Sequence, residues 1–248
     1  MKPKINIFPN PEVLNHSAAE IFIRVGNEAI EERGGFTVAL SGGSTPKSLY
    51  KLLASEKFKD KIDWKNIFFF FGDERNVLPD NAESNFRMAN ENLLLPLQIP
   101  DENIFRWHTE LQNTENIAEE YEKTIKGFFN LSENEIPRFD LILLGMGDDG
   151  HTASLFPFTE ALYETEKITF ANYVEKLKTT RLTLTFPAIN NAANIVFMIS
   201  GGNKAETLRK VLEGDFQPEK YPSQSVNPAN GNVYWLVDAN AAKMSSEI

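Results

Sequence analysis

The sequence predicts a single-domain α/β fold: a mainly parallel, open sheet with helices on both faces. Apolar, strand-like segments alternate along the chain with longer segments of helical periodicity, which is typical of a parallel sheet covered by helices. Four of the strand-like segments run directly into polar or glycine-containing turns, SGGSTP, GDER, GMGDDGH and SGGNK. Because ligands bind beyond the carboxyl ends of strands in open α/β sheets, these turns predict one shared site at one sheet edge.

The first half of the chain predicts alternating short strands and amphipathic helices. Apolar residues at helical spacing mark the first helix, which Gly34-Gly35 ends. Pro46 fits the first turn of the second helix, KSLYKLLAS. The predicted strands are Ile5–Phe8, Phe36–Leu40, Ile62–Phe71 and Ile104–Trp107. The first helix is predicted over Pro11–Glu32, and two further helices over Asn85–Leu94 and Asn116–Phe129.

The second half predicts four strands and one helix. Arg181–Phe186 alternates between apolar and polar residues, as expected of a strand with one wetter face. The other predicted elements are the strands Phe139–Leu144, Asn194–Ile199 and Val233–Val237 and the helix Lys204–Leu212. The sequence has no internal repeat and no linker that would mark a domain boundary, so we expect one domain over residues 1–248.

Composition excludes several classes of function. The chain has 248 residues and a formal net charge of −10, which argues against a general nucleic-acid or anionic-membrane surface. A local group of cations can still bind a small anion. The chain has no cysteine, which excludes disulfides, thiolate nucleophiles and Cys-ligated metal centres. The start, MKPKINIFPN, lacks a secretory apolar core and no segment is long enough to span a bilayer, so we expect a cytoplasmic protein.

Two glycine turns are candidate phosphate sites. Gly42, Gly43, Ser44 and Thr45 lie between a strand and a helix, where backbone N–H groups and the helix dipole favour an anion. An ordinary tight turn with a hydroxyl helix cap is the alternative. Lys204 follows a second glycine turn at a helix start, where it would gain from a nearby anion; a solvated lysine is the alternative.

Charged residues at two strand ends can complete such a site. Asp73, Glu74 and Arg75 follow the apolar segment IFFFF, and charges there must reach solvent or a site because unpaired burial is costly. A local surface ion pair is the alternative. Arg181 begins a strand in the basic segment KLKTTR, where it can clamp a phosphate or an oxyanion with two hydrogen bonds or lie at an exposed strand end.

One of the three histidines has a catalytic context. His151 follows a glycine turn, with Asp148 and Asp149 just before it and hydroxyl residues after it. An ordinary histidine pKa near 6.5 suits a general base at neutral pH, and a structural histidine is the alternative. We expect His16 to lie on a helix surface, and His108 to be a packing or peripheral residue. A metal site is not predicted, because HExxH and similar ligand spacings are absent.

On these motifs the sequence resembles the 6-phosphogluconolactonase family of the pentose phosphate pathway. SGGSTP, FFGDER followed by SNFRMA, RLTLTFPAINNA, SGGNKAETL and, most specifically, GMGDDGHTASLFP are similar to motifs of that family and together span almost the whole chain. The family is similar in fold to glucosamine-6-phosphate deaminase and ribose-5-phosphate isomerase, which implies a Rossmann-like domain. The deaminases share DGH but continue Ala-Phe-Asn-Glu-Pro, whereas Thr152–Pro157 reads TASLFP and resembles the lactonase form.

The resemblance implies hydrolysis of 6-phospho-D-glucono-1,5-lactone to 6-phosphogluconate without a cofactor. It implies that His151 activates water, that Asp149 orients His151, and that Arg75 with backbone N–H groups stabilises the developing negative charge. The implied substrate-binding residues are Gly42, Gly43, Ser44, Thr45, Asp73, Gly147, Arg181 and Lys204.

Two functions other than lactone hydrolysis stay open. An amino-sugar-phosphate deaminase or isomerase is one alternative, and a non-catalytic sugar-phosphate sensor is the other. The only expected partner is a small sugar-phosphate lactone, with no nucleic acid and no membrane, and we expect a monomer.

Overall fold

The computed structural model describes residues 4–245, and it confirms the predicted α/β class. Residues 1–3 and 246–248, which the predicted domain includes, lie outside the described residues. No helix in the described range is long and apolar enough to cross a membrane. The strands are β1 (Lys4–Phe8), β2 (Phe36–Leu40), β3 (Ile67–Phe71), β4 (Asp73–Arg75), β5 (Leu141–Leu144), β6 (Thr169–Val174), β7 (Thr179–Leu184), β8 (Asn194–Ile199) and β9 (Asn232–Asp238).

Six strands form the central sheet, in the order β1-β9-β8-β5-β2-β3, and every neighbouring pair is parallel. The residues of β2 and β5 are all buried, as expected of strands covered on both faces. The four strands that precede the polar turns, β8, β5, β2 and β3, are adjacent in this order. The predicted gathering of the four turns at one edge of the sheet is therefore confirmed.

Helices connect the strands and cover both faces of the sheet. The connections that contain the first and second helices both run toward the β3 edge of the sheet, so right-handed crossovers place these two helices on one face. The connections that contain the fourth and sixth helices run in the opposite direction, toward the β1 edge, so these two helices lie on the other face. The helices are α1 (Pro11–Arg33), α2 (Ser44–Leu53), α3 (Asn85–Ala89), α4 (Thr114–Phe129), α5 (Phe186–Asn190), α6 (Ala205–Glu213) and α7 (Ala239–Ala242).

A second, antiparallel sheet of three strands, β4-β7-β6, was not predicted. The segment expected as a polar turn after β3 continues, after Gly72, into β4, which pairs with β7. β6 and β7 form a hairpin, and β6 packs against α4. The sequence signal was too weak to reveal this sheet because β4 contains only charged residues and β6 places Asn172 on a fully buried position.

Several predicted elements have different bounds in the structure. The strand predicted over Arg181–Phe186 is β7, Thr179–Leu184, and Phe186 begins α5. The strand predicted over Ile62–Phe71 begins only at Ile67, after a single 3-10 turn that Asp63 caps. The helix predicted over Asn85–Leu94 is α-helical to Ala89 and then widens into a π turn. The strand predicted over Ile104–Trp107 is reduced to one bridge between Ile104 and Phe69.

The aromatic core fixes the end of β3, from which two site residues follow. Phe70 stacks on Phe105 with ring centroids 4.6 Å apart. The Trp107 indole N–H donates to the carbonyl of Phe71 at 3.1 Å, and the Tyr121 hydroxyl accepts from the N–H of Phe71 at 2.8 Å. Since both side chains are buried, these bonds hold the last residue of β3 in place before the chain turns into β4.

Candidate active site

A polar cleft of about 340 Å³ lies at the carboxyl edge of the central sheet, between that edge and the second sheet. Seven of the eleven predicted site residues line it: Asp73, Arg75, Gly147, Asp149, His151, Arg181 and Lys204. The cleft is also lined by Asp148, Ala153, Ser154, Phe156, Lys176 and Leu177. The structure therefore brings together residues that follow β3, β5 and β8 with residues of the β6–β7 hairpin.

His151 and Asp149 form a hydrogen-bonded pair in the cleft. His151 Nδ1 lies 2.6 Å from Asp149 Oδ1, and about a quarter of each side chain is exposed. A carboxylate can only accept, so in the neutral imidazole the Nδ1–H donates to Asp149 and Nε2 carries the free lone pair. The imidazole also stacks on Phe156, with ring centroids 4.0 Å apart. These two contacts fix the tautomer and the plane of a candidate general base.

The glycine turn after β5 brings the His151 ring against the backbone. The Gly147 N–H donates to the carbonyl of His151 at 2.8 Å, and Gly150 has φ +83°, a conformation that favours glycine. A Cβ on Gly147 would overlap the His151 ring. On the other side of the turn, Ser223 donates its N–H and its hydroxyl to the carbonyl of Gly150. Gly147 therefore leaves the space that the imidazole occupies.

Asp149 is held as an anion. Burial alone would raise the pKa of the Asp149 carboxyl, but the hydrogen bond and charge of His151 and the hydrogen bond of Lys176 outweigh it and hold the pKa well below its usual range. Asp149 therefore stays ionised at every pH at which a histidine titrates.

Lys204 has an anionic partner within the protein. Its ammonium forms an ion pair with Asp148, which also accepts from the Asn203 side-chain amide at 3.0 Å. The hydrogen bond from Lys204 lowers the pKa of Asp148. The expected anion near Lys204 is thus supplied at least in part by Asp148, while the lysine still lines the cleft.

Arg75 and Arg181 lie opposite each other across β4 and β7 without a carboxylate partner. The two residues are in direct register. Arg75 donates to the backbone carbonyl of Glu83 at 2.5 Å, and among the described residues neither guanidinium forms a salt bridge. Burial, followed by the charge of Arg75, lowers the pKa of Arg181. Two adjacent cations of this kind favour a bound anion, because an anion between them would relieve their repulsion.

Asp73 is buried beneath the cleft and is held by two neighbours. It accepts from the Ser154 hydroxyl at 2.7 Å and from the Asn85 side-chain amide at 3.3 Å. Its neighbour Glu74 points away and accepts from the backbone N–H groups of Asn85 and Phe86 at the start of α3. Burial raises the pKa of Glu74. Glu74 is thus a structural residue that anchors α3 to the second sheet.

The first glycine turn lies beside the cleft but does not line it. Gly43 has φ +104° and α2 begins at Ser44, so the predicted turn-to-helix geometry is present. A Cβ on Gly42 would overlap the side chain of Asn85, the residue that bonds Asp73. Gly42 therefore lies one residue away from the lining. The binding role of Gly42, Gly43, Ser44 and Thr45 stays a prediction, since none of them lines the cleft.

Sequence reasoning missed Lys176, Ser154 and Phe156. Lys176 belongs to the basic segment KLKTTR, but only Arg181 of that segment was singled out. Ser154 and Phe156 follow His151 closely in the motif GMGDDGHTASLFP, which was used for its resemblance and not for individual contacts.

The other two histidines lie outside the cleft lining. His108 is half-exposed and lies 3.3 Å from Glu120, and His16 lies beside Lys57. Among the residues that the structure describes, no group of three or more His, Asp or Glu side chains is arranged to hold a metal ion.

Comparison with known proteins gives consistent matches. Residues 9–235 match the model of a family described as glucosamine-6-phosphate isomerases/6-phosphogluconolactonase. A 6-phosphogluconolactonase of Nostoc sp. is 40% identical over 242 residues, which cover 97% of this chain and 98% of the relative. The structure of a 6-phosphogluconolactonase from Trypanosoma cruzi has a TM-score of 0.85 at 30% identity and covers 98% of this chain and 96% of its own. A monomeric glucosamine-6-phosphate deaminase shares the fold, with a TM-score of 0.80 at 22% identity over 97% of this chain and 99% of its own.

Proposed function

The chain belongs to the glucosamine-6-phosphate isomerase/6-phosphogluconolactonase family, and we propose that it hydrolyses 6-phospho-D-glucono-1,5-lactone to 6-phosphogluconate in the oxidative pentose phosphate pathway. The observation that carries the proposal is the His151–Asp149 pair, which lies in the same cleft as two arginines without carboxylate partners. This arrangement combines a general base with a site for an anionic substrate.

His151 acts as the base in the first step. Its Nε2 accepts a proton from a water molecule as the water oxygen attacks the lactone carbonyl carbon. Asp149 accepts the Nδ1–H, keeps Nε2 free for the proton and stabilises the imidazolium that forms. A strained lactone is already electrophilic, so an activated water molecule is a sufficient nucleophile.

The second step returns the proton. The tetrahedral intermediate collapses, the bond between the carbonyl carbon and the ring oxygen breaks, and His151 donates its proton to the ring oxygen, which becomes a hydroxyl group. The product carboxylic acid then ionises and releases one proton to solvent. Net acid release is therefore the signal of turnover.

The cations and the glycine turns hold the substrate. Arg75 and the backbone N–H groups of the turn at Gly147 stabilise the negative charge on the carbonyl oxygen, and Asp73 accepts hydrogen bonds from sugar hydroxyls. We assign the phosphate to Arg181, Lys204 and the first glycine turn, with Gly42, Gly43, Ser44 and Thr45.

We expect His151→Ala to lower kcat by about 10²–10⁴-fold, because the water loses its base. The measurement follows acid release from lactone that glucose-6-phosphate dehydrogenase makes in situ, with the spontaneous rate subtracted. His108→Ala is the matched control and should retain full activity, since His108 lies outside the cleft lining. A folded His151→Ala variant with wild-type turnover would contradict the proposal.

The same preparation distinguishes the alternatives. Ammonia release from glucosamine 6-phosphate would identify a deaminase, and binding of sugar phosphates without turnover of either substrate would identify a sensor. We further propose that the protein is a cytoplasmic monomer whose partner is the sugar-phosphate lactone alone, without a cofactor.

A further inference from the structure

The β6–β7 hairpin carries a cation directly to the catalytic pair. Lys176 lies in a single 3-10 turn between the two strands, Glu175–Leu177, and its side chain lines the cleft. Its Nζ is 3.2 Å from Asp149 Oδ2, while the other oxygen of the same carboxylate is 2.6 Å from His151 Nδ1. Lys176, Asp149 and His151 thus form a continuous chain of polar contacts from the second sheet to the candidate base.

We propose that Lys176 is a positioning residue of the lactonase reaction: it fixes the Asp149 carboxylate so that Oδ1 faces His151. The inference rests on the proposed function. Oδ1 lies 2.6 Å from His151 Nδ1 and accepts a longer hydrogen bond, at 3.3 Å, from the His151 backbone N–H, so both contacts from the turn fall on the same oxygen. With Lys176 on Oδ2, one orientation of the carboxylate satisfies both partners, and the Nε2 lone pair keeps a single direction.

Orientation, and not charge, is the main contribution of Lys176. Because its side chain is 72% exposed, solvent screens the charge of the ammonium. The contact with Oδ2 still sets the direction of the Asp149 carboxylate.

The hairpin therefore has two roles at the same site. Arg181, at its β7 strand, faces the substrate anion, and Lys176, at its tip, holds the catalytic pair. A movement of the hairpin would change substrate binding and the alignment of the base together.

The test is Lys176→Met, which keeps the length of the stem and removes the ammonium. We expect kcat to fall about tenfold with little change in KM, because the base is misaligned while the phosphate contacts remain. Lys176→Arg should restore most of the activity, because it returns a cation to Oδ2 of Asp149.

The matched control is Lys178→Met, two residues along the same turn. Lys178 is exposed and does not line the cleft, so this variant changes the net charge equally and should leave both kcat and KM unchanged. An unchanged kcat in Lys176→Met would overturn the inference. A raised KM with an unchanged kcat would also overturn it, because Lys176 would then bind substrate. Neither outcome affects the proposed function, which depends on His151→Ala.

Discussion

At the scale of single residues, the site depends on how closely the backbone approaches the catalytic side chains. The turn after β5 places Gly147 against the His151 ring and against the Asp149 carboxylate, where a side chain would collide with both. Two residues before it, Gly145 has open space at the position of a Cβ. The two glycines are close in sequence, but a Cβ would collide with other atoms only at Gly147. Alanine substitutions at the two positions can therefore be compared directly.

We expect Gly147→Ala to lower kcat by about 10²-fold, because the new methyl group displaces the imidazole from its hydrogen bond with Asp149. Gly145→Ala adds the same methyl group where nothing lies within 4 Å and should retain near wild-type kcat. The lactonase assay on both variants, after thermal unfolding has shown that each is folded, makes the comparison. Equal activities would mean that the His151 ring does not depend on Gly147.

At the scale of secondary-structure elements, a buried polar network joins the second sheet to the segment after His151. Asn172 on β6 is fully buried, and its side-chain amide donates to the carbonyl of Ser154 and to the Thr159 hydroxyl, both at 2.9 Å. Ser154 in turn donates its hydroxyl to Asp73. The network therefore connects a strand outside the central sheet to the floor of the cleft.

Asn172→Ala should lower the free energy of unfolding by about 1–3 kcal/mol, because it leaves buried acceptors without a donor. It should also lower kcat, since Ser154 and Asp73 lose their support. Urea unfolding and the lactonase assay measure the two effects. Asn27→Ala removes a single exposed hydrogen bond, to the Lys61 carbonyl, and should cost less than about 0.5 kcal/mol. Equal stabilities of the two variants would contradict the importance of this network.

Elements with strong local signals were predictable from the sequence, and those that depend on distant partners were not. β2, β5 and β8 are apolar segments that end in glycine turns, so both their strand character and their shared edge could be predicted. β4 has only charged residues and becomes a strand because β7 pairs with it.

The same distinction applies to the candidate site. His151 and Asp149 are two residues apart, so their pairing could be expected from the sequence. The contact of Lys176 with Asp149 depends on the position of the whole hairpin, 27 residues away along the chain. No local pattern encodes such a contact.

At the scale of the whole molecule, charge favours a single copy in solution. The net charge of −10 makes two copies repel each other.

We therefore expect light scattering after size exclusion to give a mass of 28.1 kDa at physiological salt. A mass of twice this value, or one that rises with protein concentration, would contradict the monomer.

The pairing of β1 with β9 also has a consequence for biosynthesis. β1 leaves the ribosome long before β9, which is its only neighbour in the sheet of the described residues. The edge that carries the candidate site is likewise complete only after β8 has been synthesised. Between the synthesis of β1 and the synthesis of β9 the nascent chain therefore holds an unpaired strand, and such edges associate readily with other chains. We expect the newly made protein to depend on chaperones more than its finished fold suggests.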